Sequence, residues 1–112
     1  MSALELLFVY GSLKRGQANH GQLARASFVA EARTAPRFAL RWIDGYPALV
    51  PGTRSVQGEL YRIATAALPE LDEFEGDGYR RELIELADGQ RALTYLARAP
   101  EGGTPHPADA WP

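Results

Sequence analysis

The chain has 112 residues, 46% of them hydrophobic, and a formal charge of −2 with both signs interspersed. This suits a single domain with one core and one pocket, and it leaves no basic face for nucleic acid. Cysteine is absent, so disulfides, thiolate nucleophiles and cysteine-held metals are excluded. The N-terminal apolar run is too short for a membrane span and has neither a basic leader nor a small-residue cleavage site, so a cytoplasmic protein is expected. Eleven of the twelve basic residues are Arg, which we read as compositional bias and not as a phosphate-binding device.

The run Leu4-Glu5-Leu6-Leu7-Phe8-Val9-Tyr10 alternates too little for a one-sided strand, so it predicts a strand covered on both faces that emerges from the middle of the fold. It breaks directly into Gly11-Ser12-Leu13-Lys14-Arg15-Gly16. Gly11 lacks a Cβ and can turn the chain sharply, leaving the amides of Gly11, Ser12 and Leu13 free to face a carboxylate or a developing oxyanion. An ordinary strand-to-loop turn is the competing reading. A short helix over 22–26 and a strand over 27–32 follow. Residues 37–42 alternate, with Phe38, Leu40 and Trp42 on one face and Arg37 and Arg41 on the other, which predicts a half-exposed strand.

Residues 44–52 hold two prolines and two glycines and predict a loop around a short extended piece at 48–50. The next strand covers 56–63, and Gly58 within it signals a bulge, a bend or a close backbone approach. A helix follows, with Thr65 as N-cap, Gly76 as C-cap, Pro69 in its first turn and Leu68, Leu71 and Phe74 on one face. Residues 79–86 and 90–98 predict a hairpin across Ala87-Asp88-Gly89. From Ala99 the Pro/Gly-rich sequence predicts an irregular tail in which His106 is a surface residue and Trp111 either docks on the body, the favoured reading, or is exposed. About six strands with one main helix and short helical pieces give an α+β fold, a small mixed β-barrel over 1–98 followed by a tail over 99–112.

Glu75 borders the apolar stripe of the predicted helix, whereas Glu70, Asp72 and Glu73 are offset toward solvent. Partial burial, the negative helix C-terminus and repulsion from Asp72 all disfavour its ionised form, so its pKa is expected to rise toward the range useful to a general base. The alternative on sequence alone is a solvated helix-end glutamate.

Other sites fail on inspection. Glu73, Glu75, Asp77 and Gly78 imitate the start of an EF-hand loop, but its twelfth position is Ile84 and not a bidentate glutamate. The Gly11-to-Gly16 turn lacks the Gly-Lys-Ser/Thr of a P-loop, and no Gly-x-Gly-x-x-Gly is present. Ser12 is not in a Gly-x-Ser-x-Gly elbow, and neither His20, a loop or helix-start residue, nor His106 is evidently paired with it. No metal or cofactor is implied.

The pairing of Tyr10-Gly11-Ser12-Leu13-Lys14-Arg15-Gly16 with Leu71-Asp72-Glu73-Phe74-Glu75-Gly76 and Tyr79-Arg80 resembles the γ-glutamylcyclotransferase-like superfamily. The tracts Lys14-Arg15-Gly16-Gln17-Ala18-Asn19-His20 and Gly45-Tyr46-Pro47-Ala48-Leu49-Val50-Pro51-Gly52 are most similar to the γ-glutamylamine cyclotransferase branch and small bacterial relatives. The resemblance, which runs over about 8–96, implies a small α+β barrel and cofactor-independent release of 5-oxoproline and a free amine from a small γ-glutamylamine or γ-glutamyl amino acid. Glu75 would then be the general acid/base, and Tyr10, Gly11, Ser12 and Leu13 the pocket for the glutamyl group. The Tyr79 hydroxyl would reach the same cavity, unless that ring only packs. Tyr46 and Pro47 would shape the leaving-group side, or serve only as turn chemistry, while Lys14 and Arg15 would be solvated, the lesser alternative being that they attract a substrate carboxylate. A non-catalytic binding module on the same fold is the alternative. Neither nucleic acid nor membrane is an expected partner, and the oligomeric state is left open.

Overall fold

The structure, a computed structural model, describes residues 3–106. Its strands are β1 (Leu4–Val9), β2 (Ser27–Arg33), β3 (Phe38–Ile43), β4 (Tyr46–Pro51), β5 (Gln57–Ala64), β6 (Tyr79–Glu85), β7 (Arg91–Ala97) and β8 (Thr104–Pro105), with one α-helix, α1 (Leu68–Glu75), and 3₁₀ turns at His20–Leu23 and Thr65–Ala67. The eight strands form one mixed sheet in the order β2-β5-β1-β7-β4-β3-β8, with β6 paired to β7. No helix among the described residues is long and apolar enough to cross a membrane.

Strand β1 lies inside the sheet between β5 and β7, as its apolar run from Leu6 onward demands. Phe8 belongs to one core cluster, with Leu40, Leu49 and Leu60. Leu7 and Val9 belong to a second, with Ile63, Leu68 and Leu71 of the β5-to-helix segment. Each face of β1 is therefore covered by a different layer, and its C-terminal end leaves from the interior.

The expected six-stranded barrel is not what forms: there are eight strands and the sheet does not close. A strand has two hydrogen-bonding edges, and β7 gives one wholly to β6, from Tyr79↔Ala97 to Glu85↔Arg91. The remaining contacts are shared by two parallel neighbours, β1 at Leu7↔Leu93 and β4 at Leu49↔Leu96. The sheet consequently forks along β7. At the far end, the residues that directly follow β2 and β6 meet in an isolated bridge at Thr34↔Leu86, not in a ladder.

Other expectations change for local reasons. The stretch predicted as a loop around 48–50 is the full strand β4, because Asp44 (φ 52) and Gly45 (φ 82) alone make the two-residue turn joining Ile43 to Tyr46. Pro47 and Pro51 lie near the ends of β4, away from Leu49 where β7 pairs with it, so their missing amides leave that contact intact. Gly58 marks a close approach: a Cβ there would overlap Val9 O and come within 2.6 Å of the Phe8 ring. The irregularity in the β2–β5 ladder lies instead between Phe28 and Ala30.

The tail is not wholly irregular, since β8 pairs with β3 and the Arg41 guanidinium donates to Gly102 O and Gly103 O at 2.6 and 2.9 Å. His106, expected at the surface, is buried with its ring 4.9 Å from that of Trp42. The docking expected of Trp111 lies outside the described residues.

Thr65 does not cap the helix. It opens a 3₁₀ turn, α1 begins at Leu68 with Pro69 in its first turn, and the Thr65 hydroxyl oxygen is buried without a hydrogen-bond partner. Because an unpartnered buried hydroxyl is destabilising and Val matches Thr in shape, Thr65→Val should stabilise the protein by about 1 kcal/mol. Calorimetry should show the Tm rising by a few degrees, and a fall would mean that the hydroxyl has a partner after all.

Candidate active site

The fork at β7 is where a cavity of about 300 Å³ opens. Neighbouring strands that diverge at their ends leave a crevice that no ladder fills, the general reason ligand sites form at such points. The end of β1 and its turn supply Tyr10, Gly11, Ser12 and Leu13; the start of β4 supplies Tyr46 and Pro47; the end of α1 supplies Phe74 and Glu75; β6 and β7 supply Tyr79 and Tyr95. Asn19 completes the wall beside Ser12. Glu75 and the Tyr10-to-Leu13 turn, 62 residues apart between Leu13 and Glu75, thus face one space.

The turn is held by identifiable contacts. Gly11 is required because a Cβ there would lie 2.8 Å from Pro47 Cγ. Lys14 N–H donates to Gly11 O at 3.0 Å and closes the turn. Asn19 N–H donates to Ser12 O and Asn19 Nδ2 to Ser12 Oγ, both at 2.9 Å. The His20 ring lies 2.9 Å through Nδ1 from Leu13 O. Arg15 is exposed, as expected, and is also an anchor: its amide and Nε donate to the Glu59 carboxylate at 2.8 and 3.2 Å, and its guanidinium sits 3.8 Å from the centre of the Phe28 ring. Burial pushes the Glu59 carboxyl up, but hydrogen bonds from Arg15 and Tyr61 outweigh it and hold the group below its usual range. Lys14 is partly buried, which lowers its pKa despite the attraction of Glu59 and Glu31.

Glu75 closes α1, and Gly76 terminates the helix at φ 79 with its N–H on Asp72 O. Burial in the cavity wall pushes the Glu75 carboxyl up to about 7. The repulsion expected from Asp72 is not among the causes: the Asp72 side chain, although 42% exposed, is paired, its Oδ1 accepting from Tyr95 OH at 2.6 Å and from Arg81 Nη1 at 3.1 Å. Tyr10 OH donates to Tyr95 O at 2.6 Å across the fork. Burial raises the Tyr10 and Tyr79 hydroxyls, and the nearby Glu75 charge raises both further. Both are therefore neutral donors near neutral pH.

Phe74, expected in the buried stripe with Leu68 and Leu71, is 40% exposed and turns its ring to the cavity instead. Tyr95 and Asn19 were not singled out from sequence. The Lys14-to-His20 tract carried a signal for Asn19, whereas Tyr95 sits in an ordinary strand pattern and is placed only by the fold. Among the described residues no group of three or more His, Asp or Glu side chains is arranged to hold a metal ion.

Known proteins are similar to this chain in sequence and in fold. The γ-glutamylcyclotransferase family protein ytfP of Citrobacter rodentium is 37% identical over 100 residues, covering 88% of this chain and 87% of its own. The γ-glutamylaminecyclotransferase A of Danio rerio is 36% identical over 107 residues, covering 80% of this chain and 66% of its own. An AIG2-like protein of Mus musculus superposes with a TM-score of 0.79 at 26% identity, covering 97% of this chain and 88% of its own. Residues 7–112 match the family model described as gamma-glutamyl cyclotransferase, AIG2-like. The chain therefore belongs to that enzyme family.

Proposed function

We propose that the protein is a γ-glutamyl cyclotransferase that converts a γ-glutamylamine or γ-glutamyl amino acid into 5-oxoproline and a free amine, with Glu75 as general acid/base. The observation that carries this reading is the carboxyl of Glu75, raised to about 7 by burial, in the same cavity as the Tyr10-to-Leu13 turn. Ionised Glu75 takes a proton from the substrate α-ammonium. The freed amine nitrogen attacks the γ-carbonyl carbon and a C–N bond closes the five-membered ring. Glu75, having passed the first proton to solvent, takes the second from the now cationic ring nitrogen and delivers it to the leaving nitrogen as the bond to the leaving amine breaks. The substrate brings nucleophile and electrophile already tethered, so the protein has only to fold it, move protons and steady the oxyanion. No cofactor takes part. Among the cavity-lining residues there is no Lys, Arg or His. The glutamyl carboxylate and the oxyanion therefore rely on neutral donors from the turn at Gly11, Ser12 and Leu13 and on the hydroxyl of Tyr79, while Tyr10, whose hydroxyl proton is given to Tyr95 O, shapes the wall that holds the glutamyl group. Tyr46, Pro47 and Phe74 face the leaving amine. We place the reaction in the cytoplasm.

The test is incubation of the protein with γ-glutamyl-ε-lysine and a panel of γ-glutamyl amino acids, with 5-oxoproline measured by mass spectrometry. Product supports the reading and names the amine, whereas binding without product would make the cavity that of a ligand-binding module. Because the base must be ionised and its carboxyl titrates near 7, kcat/KM should climb about tenfold per pH unit below that point. At pH 5 it should be about one hundredth of the plateau. A flat profile from pH 5 to 8 would remove Glu75 from the proton transfer.

A further inference from the structure

Asn19 is the residue preceding the 3₁₀ turn His20–Leu23, the place where an asparagine side chain ordinarily caps the free amides of the turn. It makes no such cap. Its side-chain amide is committed to Ser12, with Nδ2 donating to Ser12 Oγ at 2.9 Å, while its backbone N–H donates to Ser12 O at 2.9 Å. The same residue therefore grips both oxygens of Ser12 from outside the turn. A hydroxyl that accepts at its oxygen still has a proton to donate, and Ser12 Oγ donates to no protein acceptor among the described hydrogen bonds. Ser12 itself lines the cavity. With no cation in the cavity wall, an oriented O–H is one of few groups that can meet an anion there.

We propose that Asn19 is a positioning residue that makes Ser12 a hydrogen-bond donor, its hydroxyl proton directed at the α-carboxylate of the glutamyl group. The inference rests on the cyclotransferase reading and specifies how that reading's substrate is held. A donor to the α-carboxylate is engaged in the ground state and the transition state alike, so its loss appears in KM and leaves kcat nearly unchanged. Asn19→Asp is the sharper change, because a carboxylate at this position would accept the Ser12 proton, draw it away from the cavity and add a like charge facing the substrate.

The experiment measures kcat and KM for 5-oxoproline formation by wild type, Asn19→Ala, Asn19→Asp, Ser12→Ala and the Ser12→Ala/Asn19→Ala double variant, each checked for folding by circular dichroism. Asn19→Ala and Ser12→Ala are each expected to raise KM about tenfold, the usual value of a charge-assisted hydrogen bond, and Asn19→Asp about a hundredfold. The double variant should be no worse than Ser12→Ala, since Asn19 acts through Ser12. Multiplying effects in the double variant, an unchanged KM in Asn19→Ala, or a loss confined to kcat would each overturn the proposal. Should Asn19→Ala fail to fold, Asn19→Asp carries the test alone, and an unchanged KM there overturns it equally. Absence of product from wild type overturns the cyclotransferase reading first and this inference with it.

Discussion

Glu75→Gln is expected to reduce 5-oxoproline formation by about 10²- to 10⁴-fold, the range general acid–base catalysis contributes, while the protein becomes more stable at alkaline pH. The two effects share a cause. In the folded protein the Glu75 carboxyl titrates near 7, above its ordinary value of 4.5, because burial strips water from the ionised form. Folding therefore binds a proton between those two values, and stability falls as the pH rises through that window. Above about pH 7 the charged carboxylate opposes folding by on the order of 2–3 kcal/mol, a cost absent below about pH 4.5. Glutamine keeps the size and does not ionise. At pH 8 the variant's Tm should exceed wild type by several degrees, and at pH 4 the two should nearly coincide. Calorimetry at both pH values beside the mass-spectrometric assay reads the pair. Lost activity with a lowered Tm at pH 8 would point to a structural role, and retained activity would remove Glu75 from the chemistry.

Gly58→Ala should be among the most damaging single substitutions in the molecule. The new Cβ would overlap Val9 O and lie 2.6 and 2.9 Å from two atoms of the Phe8 ring, and Phe8 is only 1% exposed. Neither obstacle can retreat. Val9 O belongs to the backbone of β1, which pairs with β5 from Leu4↔Ala64 to Val9↔Glu59, and the Phe8 ring fills the core. The strand must shift or the core must repack, at a cost of about 3 kcal/mol or more against a total stability of roughly 5–15 kcal/mol. Since Val9 leads directly into Tyr10 and Gly11, the surviving folded fraction should also bind substrate poorly. Urea denaturation should show a clearly lower midpoint. Gly21→Ala, where a Cβ meets nothing within 4 Å, is the control and should stay within about 1 kcal/mol of wild type. Equal midpoints for the two variants would mean that the close approach at Gly58 is absent.

Much of the local conformation could be read directly from residue order. The apolar run ending at Tyr10 implied a strand buried on both faces, and β1 indeed separates two core clusters. Asp88-Gly89 gave the β6–β7 turn, with Gly89 at φ 88, and Gly76 ended the helix that delivers Glu75. These features depend on neighbours in the chain, through periodicity, allowed backbone angles and the lack of a Cβ, so a few consecutive residues contain the information. The fork at β7 does not have that character. It follows from three strands contending for two edges, and it is why the sheet stays open and a cavity lies beside Tyr95. Asp72 illustrates the same limit: helical spacing pointed it to solvent, and its side chain is 42% exposed, but no local pattern showed that Tyr95 and Arg81 arrive from other strands to pair with its carboxylate. Phe74 reached the cavity and His106 became buried for equivalent reasons. Sequence by itself determined the buried strand β1, the Asp88-Gly89 turn and the helix end that carries Glu75, though not that residues 46–51 form a full strand. Only the tertiary structure decided which of those ends meet, because hydrogen bonds such as Tyr10 to Tyr95 join residues 85 apart, and no local pattern encodes their encounter.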